Sequence, residues 1–524
     1  MNGNDERIVA NIRCLAIDMI NEAKSGHPGI ALGAAPIIYS VYANHLRFSN
    51  IDDKWFNRDR FIMSAGHGSA LLYAMLYMAS FNLSLDDLKS FRQLDSKTPG
   101  HPEINITPGV DASTGPLGQG FATAVGIALG ERYISNLINK YIPNQNLINY
   151  NTYVLCGDGD LMEGVSYEAA SFAGTQKLGK LIVLYDSNNI SLDAPTYYAF
   201  REDIKARFES MGWHYDLVKN GEDLSDISRA IDKAKEINDR PSLIEIKTKI
   251  GFGSIDEGKN SVHGKPLRTE DIVSLKTKLG IPNESFYINE DGKRYLNEKI
   301  KYRMDTIYTE WGALYNNYKN NEIETFEKII KPIMKGELSE TFEKLDLKLP
   351  NDFKQEVRVS NMNALNYFAK NNLSIVGGSA DLSSSTKTYI GTDDIEIMNS
   401  ENPIGRNIYF GVREHAMASI LNGLALTGLR PFGSTFLSFA DYLKPAIRMT
   451  ALMNLPVTYI FTHDSITVGP DGPTHEPVEQ IAMLRGIPNF NVYRPVDINE
   501  VYGSWLNILN NKYPSALIIN KSEM

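Results

Sequence analysis

The chain has 524 residues, enough at about 150 residues per domain for three or four domain-sized units with ample core. With 43% hydrophobic and 22% charged residues its composition is ordinary for a globular protein, which excludes collagen-like, coiled-coil and wholly disordered classes. A formal net charge of −10 argues against a general nucleic-acid or anionic-membrane surface, so any phosphate site is expected to be local.

Residues 5–24 place Ile8, Ile12, Leu15, Met19 and Ile20 at near-helical spacing, predicting an amphipathic helix that ends at Ser25-Gly26-His27-Pro28-Gly29. Asp5, Glu6, Arg7, Arg13 and Asp18 interrupt this stretch, so it reads neither as a signal peptide nor as a membrane span. Cys14 and Cys156 form no C-x-x-C pair, which excludes a disulfide framework and a thiolate zinc site and favours a reducing compartment, by default the cytoplasm.

Beyond the first helix, short apolar strand candidates alternate with helical stretches: 153–156, 181–185, 243–246, 374–376, 408–410, 457–461 and 516–519. That alternation predicts an α/β fold of mostly parallel sheets flanked by helices. From about 284 to 350 the sequence turns charged, helical and rich in Lys, Glu and Asn, with no comparable strand signal. It reads as a helical linker between an α/β unit at 1–283 and a second at 351–524.

The candidate strand 153–156 runs into Gly157-Asp158-Gly159, and the next, 181–185, runs into Asp186-Ser187-Asn188-Asn189-Ile190. Both motifs fall at carboxyl ends of strands, where neighbouring loops of an open parallel sheet converge. Asp158, Asn188 and a nearby backbone carbonyl could then surround one hard cation, Mg²⁺ or Ca²⁺, leaving coordination positions for diphosphate oxygens. Either motif alone reads as a turn. Paired, with 28 residues between Gly159 and Asn188 for one helix and one strand, they are far more specific.

Two phosphate-loop alternatives fail. Gly115-Pro116-Leu117-Gly118-Gln119-Gly120 reverses the G-x-G-x-x-G spacing and contains a proline. Gly253 to Asn260 nearly matches a P-loop, but Asn260 lacks the hydroxyl that would bind Mg²⁺ and Pro266 spoils the helix behind it. Of nine histidines, His27, His67, His101, His263, His463 and His475 lie in Gly- or Pro-rich loop segments. Six such residues predict a shared polar cleft handling hydroxyls, protons or phosphate. No His-x-x-x-His or Cys/His grouping supports metal ligation by histidine.

The segments "KSGHPG" (24–29), "SAGHGSALLY" (64–73), "TPGHPE" (98–103), "STGPLGQG" (113–120), "GDGDLMEG" (157–164), "SVHGKPL" (261–267), "GGSADL" (377–382), "GVREHAMASI" (411–420) and "THDSITVGPDGPTHEPVEQ" (462–480) occur in the order found in transketolases, and the chain resembles that family along its length. The resemblance implies two thiamine diphosphate-binding-type units, the first holding diphosphate and metal and the second the aminopyrimidine. It implies that Asp158, Asn188 and the Ile190 carbonyl bind the metal, with His67, Gly115, Leu117 and Gly157 against the cofactor. Glu414 resembles the glutamate that hydrogen-bonds the pyrimidine and favours the imino tautomer, which deprotonates the thiazolium carbon. By position alone, Glu414 reads as a first-turn acid favoured by a helix dipole.

Phe436, Phe439 and Tyr442 stand at i, i+3 and i+6, which by spacing alone is core packing. The resemblance makes them a pocket for the pyrimidine ring. It further implies that His27, His67, His101, His263 and His475 surround the thiazolium and the substrate hydroxyls, that His263 and His475 carry protons, and that Asp471 holds a substrate hydroxyl. Arg358, Ser385, His463 and Lys521 match the positions that grip the substrate phosphate.

Three departures stand out. Relatives usually carry arginine where this chain has Lys521, which keeps the charge but loses the planar fork of donors. Relatives often have glycine after Asp193, where this chain has Ala194. The sequence stops at Met524 without the family's third domain. The expected function is transketolase activity: two-carbon ketol transfer from a ketose phosphate to an aldose phosphate, in a homodimer whose active sites form between chains, with no nucleic-acid or membrane partner. Dihydroxyacetone synthase and a non-catalytic cofactor-binding paralogue or fragment are the alternatives.

Overall fold

The computed structural model describes residues 3–143, 146–339, 355–391 and 396–521. The chain divides into two compact units, one of residues 1–124 with 149–314 and one of residues 125–148 with 315–524.

In the first unit, β1 (Arg60–Met63), β2 (Thr152–Gly157), β3 (Leu181–Ser187), β4 (His214–Val218) and β5 (Ser242–Lys247) form a parallel sheet in the order β1-β2-β3-β5-β4. β2 and β3 pair in register from Thr152–Leu181 to Gly157–Asp186. Their carboxyl ends, and the two motifs found there, therefore lie side by side. The inner strands are buried along nearly their whole length, as expected of parallel strands covered by helices on both faces.

The first helix, Gly3–Glu22, exposes Asn4, Glu6, Arg7 and Glu22 but buries four further polar residues, Asp5, Asn11, Arg13 and Asp18, along with its apolar ones. Arg13 donates to the Leu32 carbonyl (2.7 Å) and to Glu222 (2.5 Å), and Asn11 bonds the backbone of Tyr287 and Asn289. Asp18 accepts from Lys276 (2.9 Å) and from the Phe286 amide (2.8 Å). Buried charges persist only when paired in this way.

In the second unit, β6 (Ile375–Ser379), β7 (Asn407–Tyr409), β8 (Arg430–Phe436), β9 (Thr458–Thr462), β10 (Asn491–Tyr493) and β11 (Ser515–Ile519) form a parallel sheet in the order β10-β11-β9-β8-β6-β7. Pro431 sits in the inner strand β8, an unusual place for a residue without an N–H. Arg430 donates toward β6, to the Ser374 carbonyl, and pairing of β8 with β9 begins only at Phe432. Pro431 thus precedes the ladder that its missing donor would have served.

The helix Glu414–Leu426 packs against the segment 125–141, where a Cβ on Gly126 would come within 2.0 Å of the Ile420 carbonyl oxygen. Only glycine permits that approach. The 32-residue helix Glu290–Asn321 and the short helices up to Lys335 occupy the stretch read as a linker. The expected end of that linker, and the first residues of the unit expected from 351, lie outside the described residues.

Candidate functional site

In the first unit the imidazoles of His27, His67 and His263 converge from three loops. Their ring centroids are 5.1 Å apart for His27 and His67, 5.9 Å for His27 and His263, and 5.4 Å for His67 and His263, the last pair nearly parallel. Burial, reinforced by His263, Arg92 and His101, pushes the His27 pKa down to about 4. Burial also lowers His67, His101 and His263, so at neutral pH the cluster consists of neutral imidazoles able both to donate and to accept. Among the described residues, the buried Nδ1 atoms of His27 and His263 have no hydrogen-bond partner. A buried polar atom without a partner is costly unless a ligand or water satisfies it.

His101 lies against Gly115, and the loop 114–118 wraps past the histidines: a Cβ on Gly66 would come within 2.8 Å of the Gly115 nitrogen. Leu117 in turn covers Gly159, placing this loop against the Gly157-Asp158-Gly159 turn. At that turn Asp158, 4% exposed, accepts from the Tyr185 hydroxyl at 2.5 Å and from the Asn189 amide at 3.0 Å. Asn188 donates to Asp186 at 3.2 Å and accepts from the Ile190 amide at 3.0 Å. A cavity of about 450 Å³, lined by Asp158, Tyr185, Asn189, Phe200 and Lys247 among others, opens beside them.

These donors fit a hard divalent cation. Asp158, Asn188 and the Ile190 carbonyl offer oxygen, and burial raises the pKa of Asp158 to about 6 and of the adjacent Asp186 to about 7. Burial disfavours the charged form of both carboxyls, and a bound cation would offset that cost at Asp158. Among the described residues, no group of three His, Cys, Asp or Glu side chains is placed to hold a metal. The turn 191–194 closes without glycine: Ser191 bonds the Ala194 carbonyl through both its amide (2.9 Å) and its hydroxyl (2.7 Å).

Two residues important to this arrangement escaped sequence reasoning. Fully buried Asp160 accepts from Ser64 Oγ (2.7 Å), the Gly118 amide (2.9 Å) and the Gly157 amide (3.0 Å), tying three of the motif loops to one carboxylate. Gly118 has φ +80, and a Cβ there would meet Val165 at 2.7 Å, so the loop reaches Asp160 only as glycine. Tyr185 reads in sequence as the last apolar residue of a strand, with no sign that its hydroxyl ends on Asp158.

In the second unit Glu414 is the first residue of the helix Glu414–Leu426, and Arg413 before it donates to the Phe410 carbonyl at 2.9 Å. The row Phe436, Phe439 and Tyr442 starts at the end of β8 and crosses a 3₁₀ turn into the helix Ala440–Leu452. Phe436 and Phe439 are stacked, with centroids 6.0 Å apart, and His475 stands 5.2 Å from Phe439. Exposure rises along the row, from buried Phe436 through half-buried Phe439 to Tyr442 at 63%, so only its first member packs in the core as the spacing suggests.

His463, 3% exposed, lies 3.8 Å from the Phe436 ring and bonds Thr462 Oγ1 through Nδ1 at 2.9 Å. Burial, then the charges of Lys521 and Arg358, push its pKa down to about 4, with Asp471 opposing them. Arg358 donates to the Ser385 carbonyl at 2.9 Å. Arg358, Ser385, His463 and Lys521 are thereby grouped, with His463 a neutral hydrogen-bonding group and the positive charge left to Arg358 and Lys521.

Residues 4–339 match the family model of the transketolase thiamine diphosphate binding domain, and residues 354–524 match the transketolase pyrimidine binding domain. A probable transketolase of Streptococcus pneumoniae is 49% identical over 518 residues, covering 98% of this chain and 78% of the relative. The transketolase of Bacillus subtilis is 47% identical, covering 100% and 78%. Among solved structures, a Pichia stipitis transketolase in complex with sedoheptulose 7-phosphate superposes with a TM-score of 0.95 at 40% identity, covering 100% of this chain and 78% of that one. A Leishmania mexicana transketolase gives 0.95 at 42%, covering 99% and 77%. Two sheets of parallel strands, the motif loops at their carboxyl ends and a match along the whole chain establish together that this protein belongs to the transketolase family.

Proposed function

We propose that the chain transfers a two-carbon ketol group between sugar phosphates, from a ketose phosphate such as xylulose 5-phosphate to an aldose phosphate such as ribose 5-phosphate, as in the pentose phosphate pathway. The observation that carries this reading is the cluster of neutral imidazoles at His27, His67 and His263, with two buried Nδ1 atoms that the protein leaves to a ligand. Thiamine diphosphate, when bound, supplies the carbon nucleophile and the electron sink needed to break a bond beside a carbonyl.

The protein's own residues then have separable tasks. Asp158, Asn188 and the Ile190 carbonyl hold a divalent cation, Mg²⁺ or Ca²⁺, that anchors the diphosphate, with His67, Gly115, Leu117 and Gly157 around it. Phe436, Phe439 and Tyr442 present flat apolar faces to the pyrimidine, and the Glu414 carboxyl holds a proton at its ring nitrogen. His27, His101 and Asp471 bind substrate hydroxyls, and His263 and His475 move protons at the hydroxyls of the breaking and forming bond. Arg358, Ser385, His463 and Lys521 bind the phosphate.

In this reading residues 1–283 serve the diphosphate and metal, 284–350 link, and 351–524 serve the pyrimidine. Two chains complete each active site in a homodimer. A cytoplasmic setting is supported by free, buried Cys14 and Cys156; no helix among the described residues is long and apolar enough to cross a membrane.

Calorimetry and turnover test the reading together. Asp158→Ala should abolish Mg²⁺-dependent binding of thiamine diphosphate, whereas Glu414→Gln should retain binding and lose about 10²–10⁴-fold in turnover. Full turnover by protein stripped of cofactor and metal would overturn it.

A further inference from the structure

Glu356 stands immediately before the helix Val357–Ala369, at the position where a shorter side chain such as aspartate would turn back to cap the first turn. Its carboxylate makes no such cap. It reaches instead to Arg358, accepting from Nε at 2.6 Å and from Nη2 at 3.2 Å, a two-pronged pairing of the kind arginine makes with bound carboxylates and phosphates. Nη1 donates to the Ser385 carbonyl at 2.9 Å. All three guanidinium nitrogens of Arg358 are therefore engaged within the protein, and one whole edge of the fork is taken by an anion.

The surroundings make that anion permanent at neutral pH. The hydrogen bond from Arg358 holds the Glu356 carboxyl below its ordinary range, and the charges of Lys387 and Lys521 add to the effect. The group thus contains three cations, Arg358, Lys387 and Lys521, and one carboxylate set against the most directional of them. The Arg358 side chain is 15% exposed and that of Glu356 33%.

We propose that Glu356 is a specificity-determining residue, a built-in anion that occupies the Arg358 fork and lowers the site's preference for phosphorylated over unphosphorylated sugars. The proposal rests on the reading of Arg358 as a phosphate ligand. A sugar phosphate arriving there must share or displace the carboxylate and meets its like charge, whereas an unphosphorylated hydroxyaldehyde meets no such cost. Lys521 acts in the same direction, since an ammonium cannot offer a second fork in compensation.

The test compares wild type, Glu356→Gln, Glu356→Ala and Arg358→Leu, each as the full chain loaded with thiamine diphosphate and Mg²⁺. Inorganic phosphate is titrated by calorimetry, and KM is measured for ribose 5-phosphate and for glycolaldehyde. Both Glu356 variants should bind phosphate about three- to tenfold more tightly and lower the KM for ribose 5-phosphate by a similar factor, with glycolaldehyde unchanged. Weaker phosphate binding in Glu356→Gln would make Glu356 a positioning residue and overturn the proposal, as would unchanged binding. If Arg358→Leu binds phosphate as wild type does, the phosphate-site reading fails and takes the proposal with it. If Arg358→Leu loses binding while the Glu356 variants match wild type, only the proposal fails.

Discussion

Ser64 Oγ and Asp160 Oδ1 lie 2.7 Å apart in the interior of the first unit, although 96 positions separate them in the chain. The same serine oxygen accepts from the Phe121 amide at 2.9 Å, and the same carboxylate accepts from the Gly118 and Gly157 amides. This small network sets the spacing between the loops that carry His67, Gly115 and Asp158.

Replacing Asp160 by asparagine puts an NH₂ group where an oxygen accepts from backbone N–H or a hydroxyl. Leaving one buried donor unsatisfied should cost about 1–3 kcal/mol, more where the lost acceptor is charged. Urea unfolding should show that loss, and calorimetry should show weaker binding of thiamine diphosphate in the variant even where it remains folded. Unchanged cofactor affinity would confine Asp160 to a stabilising role.

Tyr185 is expected to tune the proposed cation site without touching the cation. Its hydroxyl fixes Asp158 Oδ1, leaving the carboxylate oriented by two donors. Tyr185→Phe removes one of them, and a ligand-orienting bond of this kind is commonly worth about 10- to 100-fold in metal affinity. Titrating Mg²⁺ into the variant at saturating thiamine diphosphate should reveal the shift; equal Mg²⁺ affinity in both proteins would show that Asp158 is held without it.

His45 gives the first unit an acid-sensitive element. Its ring is buried, with Asp232 Oδ1 3.4 Å from Nδ1 and no hydrogen-bond partner on either nitrogen among the described residues. Burial lowers its pKa to about 4; Asp232 opposes the shift, and Lys235, Arg303 and Lys299 reinforce it. The folded state therefore favours neutral imidazole, while the unfolded chain takes up a proton below pH 6.5. Stability is complete above that value and falls as pH drops toward 4. Between pH 7 and pH 5 His45 alone should cost about 2 kcal/mol. Urea midpoints at the two pH values should differ less for His45→Gln than for wild type, and equal differences would show that His45 titrates normally.

Much of the fold was legible because inner parallel strands are continuous apolar runs. The strands missed were β1, β4 and β10, which lie at sheet edges, and β8, whose Pro431 and Gly433 disguise an inner strand. The first helix was legible by spacing. The burial of Arg13 and Asp18 was not, because their partners, Glu222 and Lys276, lie more than 200 positions away. Motif residues such as Asp158 could be named from strand-end position, whereas Asp160, Tyr185 and Glu356 acquire their roles only through contacts that strand register and loop closure create. His463 was expected beside phosphate; its neutrality follows from burial among cations, which spacing along the chain does not reveal.

The most direct test of ketol transfer follows carbon itself. Xylulose 5-phosphate labelled with ¹³C at C1 and C2 is incubated with ribose 5-phosphate, thiamine diphosphate, Mg²⁺ and the protein, and the products are read by ¹³C NMR. Transfer of an intact two-carbon unit places both labels, still coupled to each other, at C1 and C2 of a seven-carbon ketose phosphate, and the signal grows about 10²–10⁴-fold more slowly with Glu414→Gln. Separation of the labels, or no seven-carbon product from protein shown by calorimetry to hold its cofactor, would contradict the assignment.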